Sequence, residues 1–215
     1  MTFAEIVARV RKGVQRDDLV DEYPDFVNEA LMEIQQKRSW SFMKTTLEPL
    51  TLLAGDKTVA LPADFKEFQN IRPPVHLILE DPAQPLNSIY KPIEVVYEHE
   101  EQRRVWSFGG LVWTMRLFME RVGTTATLGM VVPAEEDINL RVKYFAYLPA
   151  LVNDNDTSPF IDAFPHMVLS AAKQNAFSTI NDPFKDQMEA DFQARFADAV
   201  RQDAYSEVAG RELRM

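Results

Sequence analysis

The sequence contains no cysteine, which excludes disulfide bridges, cysteine nucleophiles and the thiolate ligands of zinc and iron–sulfur sites. It also has no run of apolar residues close to the roughly 18 that a membrane-spanning helix needs. We therefore expect a protein that is made and used in a reducing cytoplasm, or is built into a structure assembled there, without contact to a membrane.

Glycine is scarce, with only seven residues. Neither of the glycine-rich loops that bind nucleotide phosphates occurs, and no G-x-S-x-G turn is present to hold a serine nucleophile. The three histidines, His76, His99 and His166, lack partners at the spacing of a metal or catalytic motif, so we interpret them as packed or surface residues. The sequence predicts no catalytic residue, no metal site and no cofactor.

One acidic segment of the sequence is a possible cation site. Asp154 and Asp156 lie in LVNDNDTSP, and carboxylates at this spacing can bind a hard cation. Pro159 stands where an EF-hand needs its glycine, and no glutamate closes the loop. We therefore interpret these aspartates as turn and capping residues.

Acidic residues outnumber basic residues by 33 to 23, which gives a net charge of -10. The charges are spread along the chain and form no basic patch in the sequence. Tight binding to nucleic acid depends on Lys and Arg side chains that neutralise phosphates, so the composition disfavours nucleic acid as a tight partner. With 46% hydrophobic residues, the chain is long enough and apolar enough to bury a substantial core.

The hydrophobic period is helical over residues 1–45. Thr2 is the expected N-cap of a first amphipathic helix, and Gly13 is expected to end it. Pro24 suits the first turn of a second helix, which is expected to end near Arg38.

Residues 46–149 show the alternating pattern of β-strands, and Gly55-Asp56 predicts a hairpin between the first two strands. Residues 93–106 fit a short helix, although the segment IEVVY within them also suits a strand. The segment 138–147 alternates in the manner of a strand with one buried face. The other strand candidates are 45–53, 57–62, 68–79, 111–121 and 125–132.

The helical period returns over residues 150–204. Pro165 is expected to kink or restart the helix, and Asp182 to cap the final helix. Helical character fades near Tyr205, so residues 205–215 are expected to form an extended tail. The final helix carries an apolar ladder that we expect to pack within a helix bundle or between subunits: Phe184, Met188, Phe192, Phe196 and Val200.

Together these patterns predict an α+β fold. Helices from the N- and C-terminal regions, 1–45 and 150–204, pack on each other as a bundle. An antiparallel β module, residues 46–149, is inserted between them.

The order of these motifs resembles that of the head–tail adaptor proteins of tailed bacteriophages, also called connector or head-completion proteins. The resemblance covers most of the chain and lies in four places. These are the helix pair that ends at Trp40-Ser41-Phe42, the hairpin that closes in LPADF, the strand INLRVKYFAYLPAL, and the segment NDNDTSPFIDAFPHMVLSAAKQNAF with the helix DPFKDQMEADFQARF.

The resemblance implies a structural virion protein without enzymatic activity. Such proteins form a homo-oligomeric ring, commonly of twelve subunits, beneath the portal protein at the head–tail junction. The ring extends the DNA channel and provides the docking platform for a tail or neck protein, and DNA passes an acidic wall without specific binding because like charges repel. By the same analogy, the C-terminal tail docks on the portal, with Tyr205, Val208 and Leu213 as candidate contacts.

Two other functions remain open from the sequence. One is a different structural protein of the virion neck or tail. The other is a cytoplasmic enzyme or regulatory binding module whose site is built from scattered residues.

Overall fold

The computed structural model describes residues 1–45, 48–69, 78–80, 95–97, 117–122, 125–130 and 137–212. The chain forms two compact units. The helical unit consists of Met1–Met43 and Leu148–Met215, and the β unit consists of Lys44–Tyr147. The fold is α+β, as the hydrophobic patterns predict.

The helical unit is organised around one central helix, α4, which packs on α1, α2, α3 and α5. The N-terminal segment also contains two short 3-10 turns, at Asp17–Leu19 and Ser41–Met43. Within the described residues, the α-helices are α1 (Phe3–Val14), α2 (Tyr23–Lys37), α3 (Pro159–Ala163), α4 (Pro165–Thr179) and α5 (Lys185–Glu212).

Helix α1 begins where the sequence predicts and ends slightly later. The Thr2 hydroxyl accepts a hydrogen bond from the backbone N–H of Glu5, and the Glu5 carboxylate accepts one from the backbone N–H of Thr2. The expectation that Gly13 ends the helix is wrong, because the left-handed cap is Gln15. A Cβ atom at Gly13 would collide with the side chain of Lys173, so this glycine leaves room for a side chain of α4.

The prolines and Asp182 act at helix starts as the sequence predicts. Helix α3 ends just before Phe164, and Pro165 restarts the chain as α4. The Asp182 carboxylate accepts a hydrogen bond from the backbone N–H of Phe184, at 2.9 Å, immediately before α5. These are local effects of side-chain and ring chemistry, which explains why the sequence alone indicates them.

The C-terminal segment differs from expectation. Helix α5 continues to Glu212, so the predicted extended tail is wrong for residues 205–212. The segment contains no proline, and extending an existing helix gains a hydrogen bond for each residue fixed, which offsets the modest cost of Gly210.

The β unit contains three small sheets among its described residues, with strand orders β1-β8-β4, β2-β7-β6-β5 and β3-β9. One pair, β5 with β6, is parallel, which departs from the predicted antiparallel module. The connection between these two strands exceeds the dozen or so residues that a parallel crossover requires. The strands are β1 (Glu48–Leu52), β2 (Thr58–Ala60), β3 (Phe65–Phe68), β4 (Ile78–Glu80), β5 (Val95–Tyr97), β6 (Leu117–Val122), β7 (Thr125–Met130), β8 (Ile138–Val142) and β9 (Tyr144–Ala146).

One local prediction in the β unit is wrong, and one alternative that the sequence left open is decided. Gly55, with a φ of 88°, forms a turn, but β1 pairs with β8 and β2 pairs with β7, so the two strands do not form a hairpin ladder. Strand β8 pairs with all five residues of β1, whereas β2 has only three residues to offer. Val95–Tyr97 form strand β5, which confirms the strand alternative for the segment IEVVY; the rest of 93–106 lies outside the described residues.

The predicted strand 138–147 has the expected buried face but is divided into two strands, β8 and β9. Val142, Tyr144 and Ala146 are all buried, in line with the alternation of the sequence. The strand divides at Lys143, where the chain passes from the sheet of β1 to the sheet of β3.

Candidate interaction surfaces

An aromatic cluster of five rings fixes α5 within the helical unit. Trp40 is fully buried, and its ring centroid lies 5.6 Å from that of Phe160, 5.3 Å from Phe164 and 5.7 Å from Phe196. Phe42 completes the cluster at 4.8 Å from Phe160. Edge-to-face rings at these distances stabilise a core beyond the area they bury. The Trp-x-Phe segment that the sequence singles out therefore packs against rings from α3 and α5.

A buried carboxylate ties the second half of α5 to the end of α2. Asp203 is 3% exposed and accepts hydrogen bonds from the backbone N–H of Ser41, at 3.2 Å, and from the Ser41 hydroxyl. Its other oxygen lies 3.4 Å from the guanidinium group of Arg38. A charged acceptor of this kind is stable when buried because several donors converge on it. These contacts join α5 to the end of α2 at Asp203.

The segment that contains Asp154 and Asp156 caps α1. The backbone carbonyl of Asp156 accepts from the N–H of Phe3 at 2.9 Å, and that of Asp154 accepts from the N–H of Ala4 at 3.1 Å. These N–H groups lie in the first turn of α1, where no partner exists within the helix. This turn therefore caps α1 through its backbone carbonyls, which residues of any type could supply.

The side chain of Asp156 organises the same turn. Its carboxylate accepts hydrogen bonds from the backbone N–H groups of Asn153 and Val152, both at 2.8 Å. Chiefly through the bond from Asn153, these contacts hold the pKa of the Asp156 carboxyl below its ordinary value. Across the described part of the chain, no cluster of three or more His, Asp or Glu residues is arranged to hold a metal ion.

The residues of the predicted apolar ladder are only partly buried in the protein interior. Phe192 is fully buried, whereas Met188, Phe196 and Val200 are half-buried. Phe184 precedes α5 and is 59% exposed. The ladder therefore passes from the protein interior to the surface toward the α4–α5 turn.

The three residues predicted to contact the portal lie at the end of α5 or beyond it. Tyr205 is 76% exposed, and Val208 follows in the same helix three residues later. Residues three apart lie on one side of a helix, so the helical conformation places these two positions together. Leu213 lies outside the described residues.

A groove on the outer face of α1 is a surface that the sequence reasoning missed. It is shallow, open and about 410 Å³ in volume. Arg11 lies 3.4 Å from Asp17, and Arg16 binds Asp18 at 2.8 Å, while Lys12 makes no ion pair within the described residues. The groove, called the α1 groove below, is lined by Ala8, Arg11, Lys12, Gln15, Arg16 and Asp17.

The solvent side of α5 is the second missed surface. Ala190, Ala194 and Ala197 are all exposed, and their spacing of four and three residues places them on one face. Asp186 stands four residues before the first alanine, and Asp198 four residues after the second; both are exposed. We call these five residues the α5 outer face. The alanine spacing and the cations of α1 were the available sequence signals.

The histidines add no site among the described residues. His166 lies in the first turn of α4 and is exposed, which agrees with its interpretation as a surface residue. His76 and the triplet His99-Glu100-Glu101 lie outside the described residues.

In the described part of the chain, no helix has the length and apolar character needed to cross a membrane. The features that do stand out are exposed helix faces on a rigid helical unit, which are typical of a protein that works through contacts with other proteins.

Comparison with known families agrees with this class. The chain belongs to the SU10 adaptor protein family, whose family model matches residues 1–214. It is therefore a bacteriophage adaptor protein with a structural role in the virion, and the resemblance noted from the sequence is confirmed at the level of the family. No curated protein matches the chain significantly.

Proposed function

We propose that the protein forms a ring, of twelve copies by analogy with head–tail adaptors, beneath the portal at the head–tail junction. The ring extends the DNA channel and serves as the docking platform for a tail or neck protein. The observation that carries this proposal is the match to an adaptor family over residues 1–214, which spans both structural units rather than one shared module.

The charge of the chain supports passage of DNA without binding. The net charge of -10 gives the subunit an excess of the same sign as the phosphate backbone. A wall of that sign repels DNA over about one Debye length, roughly 8 Å at physiological salt.

The proposed portal contact is the end of α5. Tyr205 exposes three quarters of its surface on a helix whose preceding turn is held by Asp203. An exposed aromatic with an apolar neighbour at Val208 suits insertion of a helix into a groove of the partner, with Leu213 extending the contact.

The proposed contact between subunits includes the exposed end of the ladder. Phe184 and the half-buried Phe177 of α4 lie 6.1 Å apart, and Met188 follows one turn later. The fully buried Phe192 serves packing inside the helical unit.

The first test is the mass of the protein in solution, by light scattering and negative-stain images, with and without the portal protein of the same phage. We expect rings, either alone or on the portal. A monomer that ignores the portal at every concentration would overturn the proposal and favour another neck or tail role.

The portal contact is tested by the double variant Tyr205→Ala/Val208→Ala. We expect its affinity for the portal to fall at least about tenfold, because a buried aromatic anchor contributes most to such a contact. The matched control is Leu53→Ala, which removes an exposed apolar side chain from the β unit. Equal affinity of the double variant and the wild type would overturn the docking role of this helix end.

A further inference from the structure

The α1 groove and the α5 outer face carry opposite charge. Lys12 is a groove cation that makes no ion pair within the described residues, whereas Arg11 and Arg16 are paired with Asp17 and Asp18. Asp186 and Asp198 flank the alanines of the α5 outer face; Asp186 is exposed, and Asp198 is paired with Arg201 at 3.5 Å. Complementary potentials of this kind select a partner surface and fix its orientation.

The two surfaces also match in shape. Alanine has no side chain beyond Cβ, so a helix with Ala190, Ala194 and Ala197 on one face can approach another backbone closely. Their spacing of four and three residues is that of the contact seam between packed helices. The α1 groove has a small residue, Ala8, among its lining residues, so it can receive such a face.

Neither surface is used in the packing of its own helix within the unit. Helix α1 buries its opposite side, including Ile6 and Val10, against α2 and α4. Helix α5 packs on α4 through Phe192 and Ala199. Both outward faces are therefore available to another molecule.

We propose that the α5 outer face of one copy packs into the α1 groove of the next. The inference rests on the proposed ring and specifies its interface. The two surfaces are different patches of the same chain, so the contact is head-to-tail, and repetition of a head-to-tail contact closes into a ring when the rotation between copies allows it. The charges set partner and register, and the alanines permit the close contact.

The absence of cysteine from the natural sequence allows a direct test by crosslinking. The double variant Ala8→Cys/Ala194→Cys places one thiol on each surface, and both positions are exposed. In assembled rings, a short bis-maleimide should join each copy to the next and give a ladder of covalent multimers on a denaturing gel. The single variants Ala8→Cys and Ala194→Cys are the controls, and each should stop at the dimer.

Charge reversal provides the second test. We expect Lys12→Glu, and separately Asp186→Lys, to reduce the assembled fraction about tenfold, because the charges at positions 12 and 186 then have the same sign. Combining the two changes in one chain restores opposite charges at these positions and should restore assembly. Lys57→Glu, an exposed reversal in the β unit, is the matched control for net charge and should assemble normally.

The outcomes separate this interface from the proposed function. Rings that assemble on the portal but give no ladder, or that are unaffected by Lys12→Glu, would overturn the interface and leave the ring intact. Failure of the unmodified protein to form rings, with or without portal, would overturn both. A ladder from the double variant together with rescue by combined reversal would establish the interface.

Discussion

The Asp203 carboxylate accepts hydrogen bonds from both the backbone N–H and the hydroxyl group of Ser41, a residue 162 positions earlier in the chain. The aspartate is almost completely buried, so the bonds it accepts are removed from competition with water. This pair joins the second half of α5 to the segment after α2. Helix α5 is therefore joined to the segment after α2 close to the exposed Tyr205.

Replacing Asp203 with alanine tests this connection. The variant leaves the Ser41 donors and the Arg38 guanidinium without their acceptor, so we expect the free energy of unfolding to fall by about 2–4 kcal/mol. Urea denaturation followed by circular dichroism measures the change. Asp198→Ala is the control, because its exposed side chain should alter stability by less than about 0.5 kcal/mol. Equal stability of the two variants would contradict the assigned role of Asp203.

Loss of the Trp40 ring at the centre of the aromatic cluster should strongly destabilise the helical unit. Trp40→Ala removes a fully buried ring that contacts Phe42, Phe160, Phe164 and Phe196, and we expect a loss of about 3–5 kcal/mol in the free energy of unfolding. Chemical denaturation is the measurement. Tyr205→Ala removes an aromatic of similar size from the surface and should leave the midpoint of unfolding unchanged. A Trp40→Ala protein with the wild-type midpoint would show that the cluster does not stabilise the unit.

Loss of the Thr2 cap of α1 should reduce the free energy of unfolding by a smaller amount. Thr2→Ala removes the hydroxyl that accepts from the Glu5 N–H, with an expected loss of about 1 kcal/mol. Hydrogen exchange of the first-turn amides should accelerate in parallel. Thr2→Ser keeps the acceptor oxygen and should stay within a few tenths of a kcal/mol of the wild type. If alanine and serine behave alike, the cap contributes nothing measurable.

The Asp191 carboxyl predicts a dependence of stability on pH. Hydrogen bonds from Arg195 and from the Ser170 hydroxyl lower its pKa below the ordinary value of 3.8, against the opposing effect of partial burial. Because the pKa is lower in the folded protein, the stabilisation is fully present above the unfolded value and is lost as the pH falls through the folded one. Solvent screens this partly exposed pair, so the effect is modest.

The measurement is the free energy of unfolding of the wild type and of Asp191→Asn at a series of pH values. The wild type should be more stable near pH 7, and the difference should shrink as the pH falls below the ordinary carboxyl value and through the lower pKa of the folded protein. Asp186→Asn, an exposed change on the same helix, controls for the loss of one negative charge. A difference that stays constant across the range would contradict the assignment to ionisation of Asp191.

Much of the helical unit could be predicted from the sequence because its determinants are local. Thr2 caps, Pro165 restarts and Asp182 caps through contacts within a few residues, and the sequence around each one is sufficient to identify it. The alternation at Val142 and Tyr144 identifies a buried strand face for the same reason.

The errors come from contacts that are distant in sequence or lie on the surface. The partner of β1 is β8, almost ninety residues away, and a turn at Gly55 cannot indicate that choice. The α1 groove and the α5 outer face escaped notice because exposed residues such as Lys12 and Ala194 also occur on ordinary solvated helices. Only their arrangement in the fold separates them from that background.

The division of the helical unit between the two ends of the chain has a consequence for the timing of synthesis. Helices α1 and α2 leave the ribosome before the whole β unit, yet they pack on α4, which follows it. At about 5–20 residues per second, the earlier helices wait on the order of ten seconds for that partner. Helix α5 emerges later still. A nascent chain therefore lacks the finished bundle, and any association through α1 and α5 is confined to chains whose synthesis has passed α5.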